Sequence, residues 1–442
     1  MFLRSYVLVF FYHYVLAFLN SFTITVRVSQ TNQSIEPIVL PYLIRKLRSI
    51  AVHSLARMYH PEERLFAFRL RKNGNGEALE GVSHRYTAMV LIGLAGESPE
   101  VVKEVLGKHS REDVCERLLQ DIHQMNNLGD VAIITWAARA IGHARASEAI
   151  GALRRMEPGH RPYPTMDLSW ALSALTAGGN DATDNSLADN IAEVLLASFN
   201  WESGVFRRWS QGCKVSRLRA HASCFADFVY PILALSHYHL ATGNPKALET
   251  AVCCAEHMCQ QQGEEGQWWW YYDARTGRVL EQYPVYAVHQ DAMAPMALFA
   301  LAKASGRSYN SAQDACARTP RPARDGVLGD YSESIEKGLH WLVNPAEVTE
   351  SLIDMERYVI WRKVARREPR RIVRGLQAGL SCLHPRLGIP GVDALFPASS
   401  IDYETRPYHM GWILYAWSSN NETKSKMQIS GLNNTRSLKD GH

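Results

Sequence analysis

The sequence has little that would mark a disulfide-linked, metal-binding or nucleic-acid-binding protein. Its 442 residues include eight cysteines but no Cys-x-x-Cys pair, which favours reduced thiols. Cys253 or Cys254 could share a helical face with His257, but no further ligands are evident, so we expect packing there and no metal or cofactor. Basic and acidic residues nearly balance, 48 against 44, and no helix-turn-helix, zinc-finger or RNA-recognition pattern is present. We therefore expect no nucleic-acid partner.

What the sequence does contain is a repeated apolar run of helical length. Five Ala-rich runs stop at a glycine and a sixth reaches Ser418 without one. The runs are 86–95, 131–141, 168–177, 228–242, 292–305 and 408–417, and the glycines are Gly96, Gly142, Gly178, Gly243 and Gly306. Because the runs are apolar on nearly every face, they predict helices buried on all sides. Glycine directly after a helix is typical of a left-handed stop.

Segments with one charged face alternate with these runs and predict half-exposed helices. They are 41–59, 99–109, 146–156, 185–199, 245–262 and 332–343. This alternation matches a closed ring of helical hairpins better than an open solenoid. The sequence therefore predicts an all-α protein, an (α/α)6 toroid of six hairpins with short β-hairpin insertions. We assign 41–419 to the toroid, 1–40 to an apolar segment and linker, and 420–442 to a disordered polar tail.

Two segments leave their roles open. Residues 5–19 are almost wholly apolar but somewhat short for a membrane-spanning helix. A signal segment, an anchor that associates with a membrane, and an extension outside the fold are all compatible with them, and we expect a cytoplasmic or membrane-associated protein. The second segment is the basic run 357–374, which is typical either of a solvated face or of a docking surface for an acidic polymer, phosphate or anionic lipid.

Aromatic residues are concentrated between Gly266 and Met296. Residues 268–272, 273–277 and 278–288 have the form of a strand, a glycine-containing turn and a second strand, which predicts a β-hairpin ahead of the fifth apolar run. Since side chains alternate along a strand, either Trp269 or the pair Trp268 and Trp270 faces the interior of the ring. Ligand platforms could also come from three tyrosines, Tyr271, Tyr283 and Tyr286.

A family resemblance begins in this segment. The spacing Q-x-x-x-G-x-W after an outer helix resembles the QW motif of terpenoid cyclases, and a weaker echo follows the preceding outer helix. The residues are Gln262, Gly266 and Trp268, and then Asn200, Gly204 and Phe206. In that family the motif ties helix ends together, so the resemblance implies a toroid of the terpenoid-cyclase kind. The acidic clusters D-x-D-D and D-D-x-x-D of the family's enzymes do not occur here.

The chain also resembles, by its site chemistry, the α/α toroids that act on carbohydrate: six-hairpin glycosidases, polysaccharide lyases and sugar epimerases. Such reactions need aromatic faces for sugar rings, a proton donor and acceptor, and often arginine for a uronate carboxylate. In a toroid all inner helices start at one end, and their N-termini favour an anionic ligand there. The residues expected to converge at that end are His84, Arg85, Tyr86, Asp130, Asp167, Asp227, Tyr230, His289, Asp291, Arg406, Tyr408 and His409.

Within this set we predict distinct roles. His289 is the first candidate for acid–base catalysis, because histidine titrates near neutrality and this one adjoins the aromatic hairpin. Tyr408 and His409 come next. Asp227 and Asp291 precede Pro231 and Pro295 by four residues, so each is a candidate either for catalysis or for helix capping. Predicted substrate-binding residues are His84, Arg85, Tyr86, Tyr230, Trp268, Trp269, Trp270, Tyr283, Tyr286 and Arg406. We expect Asp130 and Asp167 to be N-caps.

These features favour a carbohydrate-active enzyme, a lyase, epimerase or hydrolase, whose partner is an acidic or surface polysaccharide. A divergent terpenoid cyclase or prenyltransferase-like protein and a non-catalytic toroid that binds a glycan or a protein remain alternatives. The lining of the ring distinguishes the two enzymes: histidine, arginine and tyrosine around a polar mouth indicate sugar, whereas a dry aromatic pocket indicates an isoprenoid.

Overall fold

Every apolar run predicted from the sequence forms a helix in the computed structural model. It describes residues 40–418 apart from residue 75 and the segments 178–184, 217–218, 307–330, 368–371, 385–386 and 388–394. The predicted apolar stretch 5–19, the stop at Gly178 and the tail 420–442 lie outside the described residues. Within the described residues, no helix is long and apolar enough to cross a membrane.

The helices of the described residues are α1 Leu40–Met58, α2 His84–Leu94, α3 Pro99–Leu106, α4 Arg111–Leu119, α5 Leu128–Ala140, α6 Ala146–Arg155, α7 Thr165–Thr176, α8 Asn185–Ser198, α9 Ala226–Thr242, α10 Pro245–Gln260, α11 Ala294–Ala304, α12 Ser332–Val343, α13 Ile372–Leu383 and α14 Pro407–Ala416. A π-helical turn, His289–Met293, leads directly into α11. The strands are β1 Tyr59–His60, β2 Leu65–Asn73, β3 Gly76–Val82, β4 Phe199–Asn200, β5 Val205–Phe206, β6 Ala222–Cys224, β7 Tyr271–Asp273, β8 Val279–Glu281, β9 Val285–Tyr286, β10 Ile353–Asp354, β11 Val359–Ile360, β12 Lys363–Arg366, β13 Ala398–Asp402 and β14 Glu404–Thr405.

Six of these helices, α2, α5, α7, α9, α11 and α14, form a closed inner ring. Each packs on the next in chain order, and α14 returns to pack on α2. Their apolar side chains are buried almost throughout, with Trp412 of α14 and Phe228 of α9 fully enclosed. This is the arrangement that helices without a polar face require. The predicted (α/α)6 toroid is confirmed.

The amphipathic segments form the outer layer. Helix α1 packs on α14, α6 on α5, α8 on α7, α10 on α9, and α12 on the π-helical turn. The second outer segment differs from the prediction. It ends at Leu106, and a further helix, α4, packs on α2 and α5. The interruption lies at Gly107, whose φ of 64° leaves the helical region, and Ser110 with Asp113 forms a capping box that starts α4.

Three of the glycines predicted to end helices do so among the described residues. Gly142, Gly243 and Gly306 have φ values of 67°, 73° and 70°, the left-handed conformation that ends a helix without a Cβ clash. Gly96 is different, since its φ is not positive and α2 ends in an ordinary turn at Ala95. Pro231 also departs from expectation, because α9 begins five residues before it and the proline lies inside the helix.

The residues of the QW-type motif join secondary-structure ends. The Gln262 side chain donates through Nε2 to the carbonyls of Gly266, at 2.9 Å, and Ser334, at 2.8 Å, so the end of α10 is tied to α12. Trp268 is fully buried beside Gly338 of α12. In the weaker echo, Asn200 Nδ2 donates to the Ala274 carbonyl at 3.0 Å. Both segments act structurally, as the resemblance implies.

Short strands connect the helices at the end of the ring where the inner helices begin. The predicted aromatic hairpin is present as β7 and β8, although these strands are shorter than the sequence pattern, and β6 pairs with β7. A longer hairpin, β2–β3, precedes α2, and β14 pairs with β2 just before α14. Strands β9, β12 and β13 form a third small sheet that leads into α11. We call this set of strands the rim.

The motif glycine Gly266 provides a test of the packing between α10 and α12. Its φ is 100°, and a Cβ there would lie 2.1 Å from the carbonyl oxygen of Lys337. We expect Gly266→Ala to lower the free energy of unfolding by about 3 kcal/mol or more, because backbone strain and a backbone clash add. Urea denaturation followed by circular dichroism measures it.

Gly243→Ala is the matched control for this substitution. Its φ of 73° is also positive, but no atom lies within 4 Å of the added Cβ. Only the left-handed strain remains there, which corresponds to about 1–2 kcal/mol. Equal losses for the two variants would show that the contact with Lys337 contributes nothing.

Candidate active site

The predicted mouth residues come together at the end of the ring where the inner helices begin. Arg406, just before α14, donates through Nη1 to the Tyr86 hydroxyl of α2 at 2.7 Å. Arg85 of α2 donates through Nε to Asp130 of α5 at 2.7 Å. The Arg85 guanidinium also lies 5.6 Å from the ring centroid of Trp170 on α7. We use "the mouth" for this end of the ring.

Three aspartates on consecutive inner helices form an acidic group with two arginines. Asp130, Asp167 and Asp227 come from the first turns of α5, α7 and α9, and Arg85 and Arg208 lie near enough to influence them electrostatically. Asp130 has a side chain 34% exposed and is ion-paired with Arg85. Asp167 is only 7% exposed. Asp130 is therefore accessible to solvent, whereas Asp167 is shielded from it.

The surroundings of Asp167 raise the pKa of its carboxyl. Burial raises its pKa to about 6, the negative charges of Asp130 and Asp227 act in the same direction, and Arg85 partly opposes them. The carboxyl therefore binds a proton readily in mildly acidic solution, and its neighbour Asp130 is paired with Arg85. A pair of carboxyls, one of them with a raised pKa, is the usual equipment for acid–base catalysis at a glycosidic bond.

The expectation that Asp130 and Asp167 are N-caps is wrong. Asn127 caps α5 by accepting the Asp130 backbone N–H at 3.0 Å, and Pro164 precedes α7 without a side-chain cap. Both aspartates are the third residue of their helix, so their side chains are available for other contacts. Asp227 does have a cap-like bond, since it accepts the Cys224 N–H at 2.8 Å, and burial raises its pKa.

The other half of the mouth is basic. Glu404 of β14 is buried and accepts hydrogen bonds from four arginines: Arg69 at 2.9 Å and Arg71 at 3.3 Å on β2, Arg362 at 2.5 Å just before β12, and Arg406 at 3.0 Å just before α14. Burial opposes ionisation of Glu404, but these guanidiniums outweigh it and hold its pKa at about 2. Five basic groups meet three acidic ones here, because Lys363 joins the arginines while Glu80 and Asp402 join Glu404.

Aromatic side chains line the space between the acidic and the basic groups. Tyr86 contacts Tyr408 with ring centroids 4.8 Å apart and stacks on Phe68 at 5.5 Å. Tyr408 retains some exposure, although its surroundings raise its pKa to about 12, chiefly by burial. Arg362 lies 5.2 Å from the ring centroid of Tyr286. Tyrosine faces flanked by guanidiniums suit a ligand that carries both apolar ring faces and negative charge.

His289 is at the mouth but is enclosed. It stacks on Trp270 with centroids 5.2 Å apart, packs against Phe225 at 4.4 Å, and is 1% exposed. Burial lowers its pKa to about 3, even though Nδ1 lies 3.3 Å from the Trp268 carbonyl oxygen. The expectation of near-neutral titration is therefore wrong, because a charged imidazole would lose its hydration in this apolar setting.

His409 and Asp291 form a buried pair between the last two inner helices. His409 Nε2 lies 2.7 Å and 2.9 Å from the two carboxylate oxygens of Asp291, whose backbone oxygen accepts the Trp417 indole N–H at 2.6 Å. Burial raises the Asp291 pKa, while His409 opposes the rise. The arrangement joins α14 to the π-helical turn, and the proposed catalytic roles of both residues stay predictions.

Other predicted binding residues are placed less favourably. Trp268 has no exposed surface and lies against Phe225 and Gly338, which favours a structural role; Trp269 is also buried, next to Tyr283. Trp270 is the partly exposed member of the three tryptophans.

The Tyr283 hydroxyl donates to Glu347 at 2.8 Å. His84 is influenced by Arg117 of outer helix α4, and burial lowers its pKa. Tyr230 lies deeper, against Trp170 and Trp412.

Three residues that lie at the mouth were not predicted from the sequence: Arg208, Arg362 and Lys363. Arg362 and Lys363 belong to the basic run, which we expected to be either a solvated face or a docking surface. Pairing of β12 with β9 instead places them beside Tyr286. Arg357 of the same run is exposed and paired with Asp354 at 3.0 Å. Arg208 follows β5 in a loop with no distinguishing sequence pattern. No metal-binding group of His, Cys, Asp or Glu occurs among the described residues.

Comparison with known proteins supports the fold. No family model and no curated protein matches the chain. Solved structures similar to it include an unsaturated glucuronyl hydrolase specific for heparin, with 12% identity and a TM-score of 0.52 over 87% of this chain and 98% of that one. An unsaturated glucuronyl hydrolase from Streptococcus agalactiae has 10% identity and a TM-score of 0.52, over 90% and 98%. A sugar epimerase from a ruminal bacterium has 11% identity and a TM-score of 0.53, over 87% and 99%.

At such low identity the likeness establishes an architecture. The chain shares the α/α toroid fold of these structures. Of the two resemblances read from the sequence, these structures agree with the six-hairpin one, and they give no support to terpenoid-cyclase chemistry.

The low pKa of Glu404 should make part of the free energy of unfolding depend on pH in acid. Because the folded pKa is about 2, against an ordinary value of 4.5, the unfolded chain binds more protons between these pH values. Stability from this group is therefore complete above pH 4.5 and is lost as the pH falls towards 2. We expect Glu404→Gln to remove about 3 kcal/mol of that pH dependence. Denaturant titrations at several pH values measure it.

The exposed Glu336 of α12 is the control for this measurement. Glu336→Gln should leave the pH dependence of the unfolding free energy unchanged. If Glu404→Gln behaves in the same way, the four arginines do not stabilise the ionised carboxylate.

Proposed function

We propose that this protein is a sugar-active enzyme of the hydrolase type that cleaves a glycosidic bond next to an acidic sugar bound in the mouth. The observation that carries the proposal is a buried Asp167 with a raised pKa beside an accessible Asp130 paired with Arg85, in a mouth bordered by arginines and tyrosines. A lyase or an epimerase would share the binding chemistry but would use other proton-transfer groups.

In this proposal Asp167 donates the proton to the departing glycosidic oxygen. A pKa of about 6 keeps the proton on the carboxyl in mildly acidic solution and still allows its transfer. Asp130, held in place by Arg85 at 2.7 Å, stabilises positive charge developing on the sugar ring or activates a water molecule. Arg85 is thus a positioning residue.

The basic half of the mouth favours a carboxylate on the substrate. Arg362 and Arg406 are held in place by Glu404, so their guanidiniums need little reordering when a ligand binds. The Arg362 side chain also remains 20% exposed, so its guanidinium is within reach of a ligand. A uronate carboxylate would provide the acceptor, and the exposed face of Tyr408 would support the sugar ring.

The similar structures fit this substrate class. Two of them are named as unsaturated glucuronyl hydrolases, and glucuronyl is an acidic sugar group. Their identity to this chain is 12% or less, so they support the class of substrate and leave its identity to experiment. The polar, arginine-rich mouth likewise favours sugar over an isoprenoid.

Epimerase chemistry is the second candidate, because a sugar epimerase is among the similar structures and His289 is neutral in its apolar setting. A neutral imidazole is competent to accept a proton from a sugar carbon. Its 1% exposure is the reason for preferring Asp167, since a ligand would have to displace Trp270 or Tyr286 to reach it.

The first test replaces the proposed acid. With a glucuronyl-terminated disaccharide as substrate, Asp167→Asn should lower kcat by about 100- to 1000-fold, and wild-type kcat should fall above pH 6, where Asp167 has lost its proton. Release of reducing sugar is the measurement. Asp189→Asn, on outer helix α8, is the control and should keep full activity.

Other outcomes would redirect the proposal. Full release of reducing sugar by Asp167→Asn together with its loss in His289→Ala would favour lyase chemistry, and interconversion of sugar epimers that is lost in His289→Ala would favour an epimerase. Binding of the disaccharide without any turnover would favour a non-catalytic glycan-binding toroid.

The second test concerns substrate charge. Arg362→Met should raise KM for the glucuronyl disaccharide by about tenfold while leaving KM for the matched glucosyl disaccharide unchanged, because only the first carries a carboxylate. Steady-state kinetics on both substrates measure the difference. Lys337→Met, on outer helix α12, is the control. An equal rise in both KM values would mean that Arg362 has a general structural role.

A further inference from the structure

The ring has a second cavity at the opposite end from the mouth. It has a volume of about 550 Å³, within the usual range for small-molecule sites, and all six inner helices contribute to its wall close to their C-terminal ends. Residues that line it include Trp136, Ala140, His237, Leu240, Lys303 and Tyr415. Nothing in the proposed reaction uses these side chains.

A chain of aromatic rings separates this cavity from the mouth. Trp136, which lines the cavity, contacts Trp412 with centroids 5.6 Å apart. Trp412 contacts Tyr230 at 6.1 Å, and Tyr230 contacts Trp170 at 5.2 Å. Trp170 lies under Arg85 at the mouth. These rings fill the interior between the two ends, so a ligand in the second cavity would not touch Asp130 or Asp167.

The cavity wall combines small apolar residues with a few hydrogen-bond donors. Ala140, Ala177 and Ala241 leave room, and Trp136 and Leu240 offer apolar surface. Lys303 is exposed at the edge, and no acidic side chain lines the cavity among the described residues. Burial, and then the charge of Lys303, lower the pKa of His237 to about 4, so this imidazole is neutral near pH 7.

The negative ends of the inner helices would ordinarily disfavour an anion here. Three arginines reduce that effect by donating to terminal carbonyl oxygens. Arg48, which is also ion-paired with Glu97 at 2.8 Å, reaches the Trp417 carbonyl at 2.5 Å, and Arg139 reaches that of Ala177 at 2.6 Å. The third, Arg111, donates to two carbonyls at the end of α2, both at 3.1 Å. Among the described residues of the cavity wall, none is an acidic partner for Lys303.

We infer that the second cavity is a binding site for a small organic acid with an apolar body. Its carboxylate would pair with Lys303 at the edge, and its apolar part would contact Trp136 and Leu240. A sugar is a poorer fit, since each of its hydroxyl groups needs a polar partner and much of this wall is alanine and glycine. The inference does not depend on the proposed reaction at the mouth.

Two matched probes test the inference on the full chain, 4-phenylbutyrate and its neutral analogue 4-phenylbutanol. Isothermal titration calorimetry should show the acid binding about tenfold more tightly than the alcohol, because only the acid gains a charged hydrogen bond. Lys303→Met should weaken binding of the acid to the level of the alcohol. Ala140→Phe, which fills the cavity, should remove binding of both.

Controls separate this site from the mouth and from misfolding. Lys303 is exposed, so Lys303→Met should unfold at the wild-type temperature, whereas Ala140→Phe needs its melting curve checked. Arg362→Met alters the mouth and should leave phenylbutyrate affinity unchanged. The inference is overturned if neither probe binds wild-type protein, if Lys303→Met binds the acid as wild type does, or if Arg362→Met weakens binding.

Discussion

Closure of the inner ring depends on the close approach of its first and last helices. A Cβ at Gly93 of α2 would lie 2.2 Å from the Gly411 carbonyl oxygen of α14, and a Cβ at Gly411 would lie 2.8 Å from the Val90 Cα. The two backbones therefore touch where neither residue has a side chain. Because interiors are close-packed, larger residues here would push α14 outward and separate His409 from Asp291. We therefore expect the His409–Asp291 pair to depend on this contact.

A closed ring of inner helices has two chemically different ends. At the mouth, helix N-termini and rim arginines create a positive setting, in which Asp167 is buried with a raised pKa while the pKa of Glu404 is held low. At the other end, arginines of the outer layer and of α5 cover terminal carbonyls, and a small-residue cavity remains. Aromatic rings between the ends keep them apart. One scaffold can therefore carry two sites that act independently.

Much of the fold could be predicted because a run that is apolar on every face must form a helix buried on all sides. A helix such as α9, apolar on every face, has no stable position outside the centre of a ring. Convergence of Arg85, Asp130 and Arg406 at one end followed from the direction of the helices. Protonation states could not be predicted in this way. His289 is neutral and Asp167 has a raised pKa because of how many atoms surround them, which residue identity does not reveal.

The sequence by itself determined the toroid, its hairpins and the end where charged groups gather, since periodicity and glycine stops are local properties of the chain. Tertiary structure alone decided which charged residues meet. Arg362 reaches the mouth through pairing of β12 with β9, and Arg208 arrives in a loop. It also decided that Asp130 and Asp167 are free of capping, and that a second cavity lies beyond Trp136. These facts depend on contacts between distant segments, and such contacts leave no periodic pattern in a single sequence.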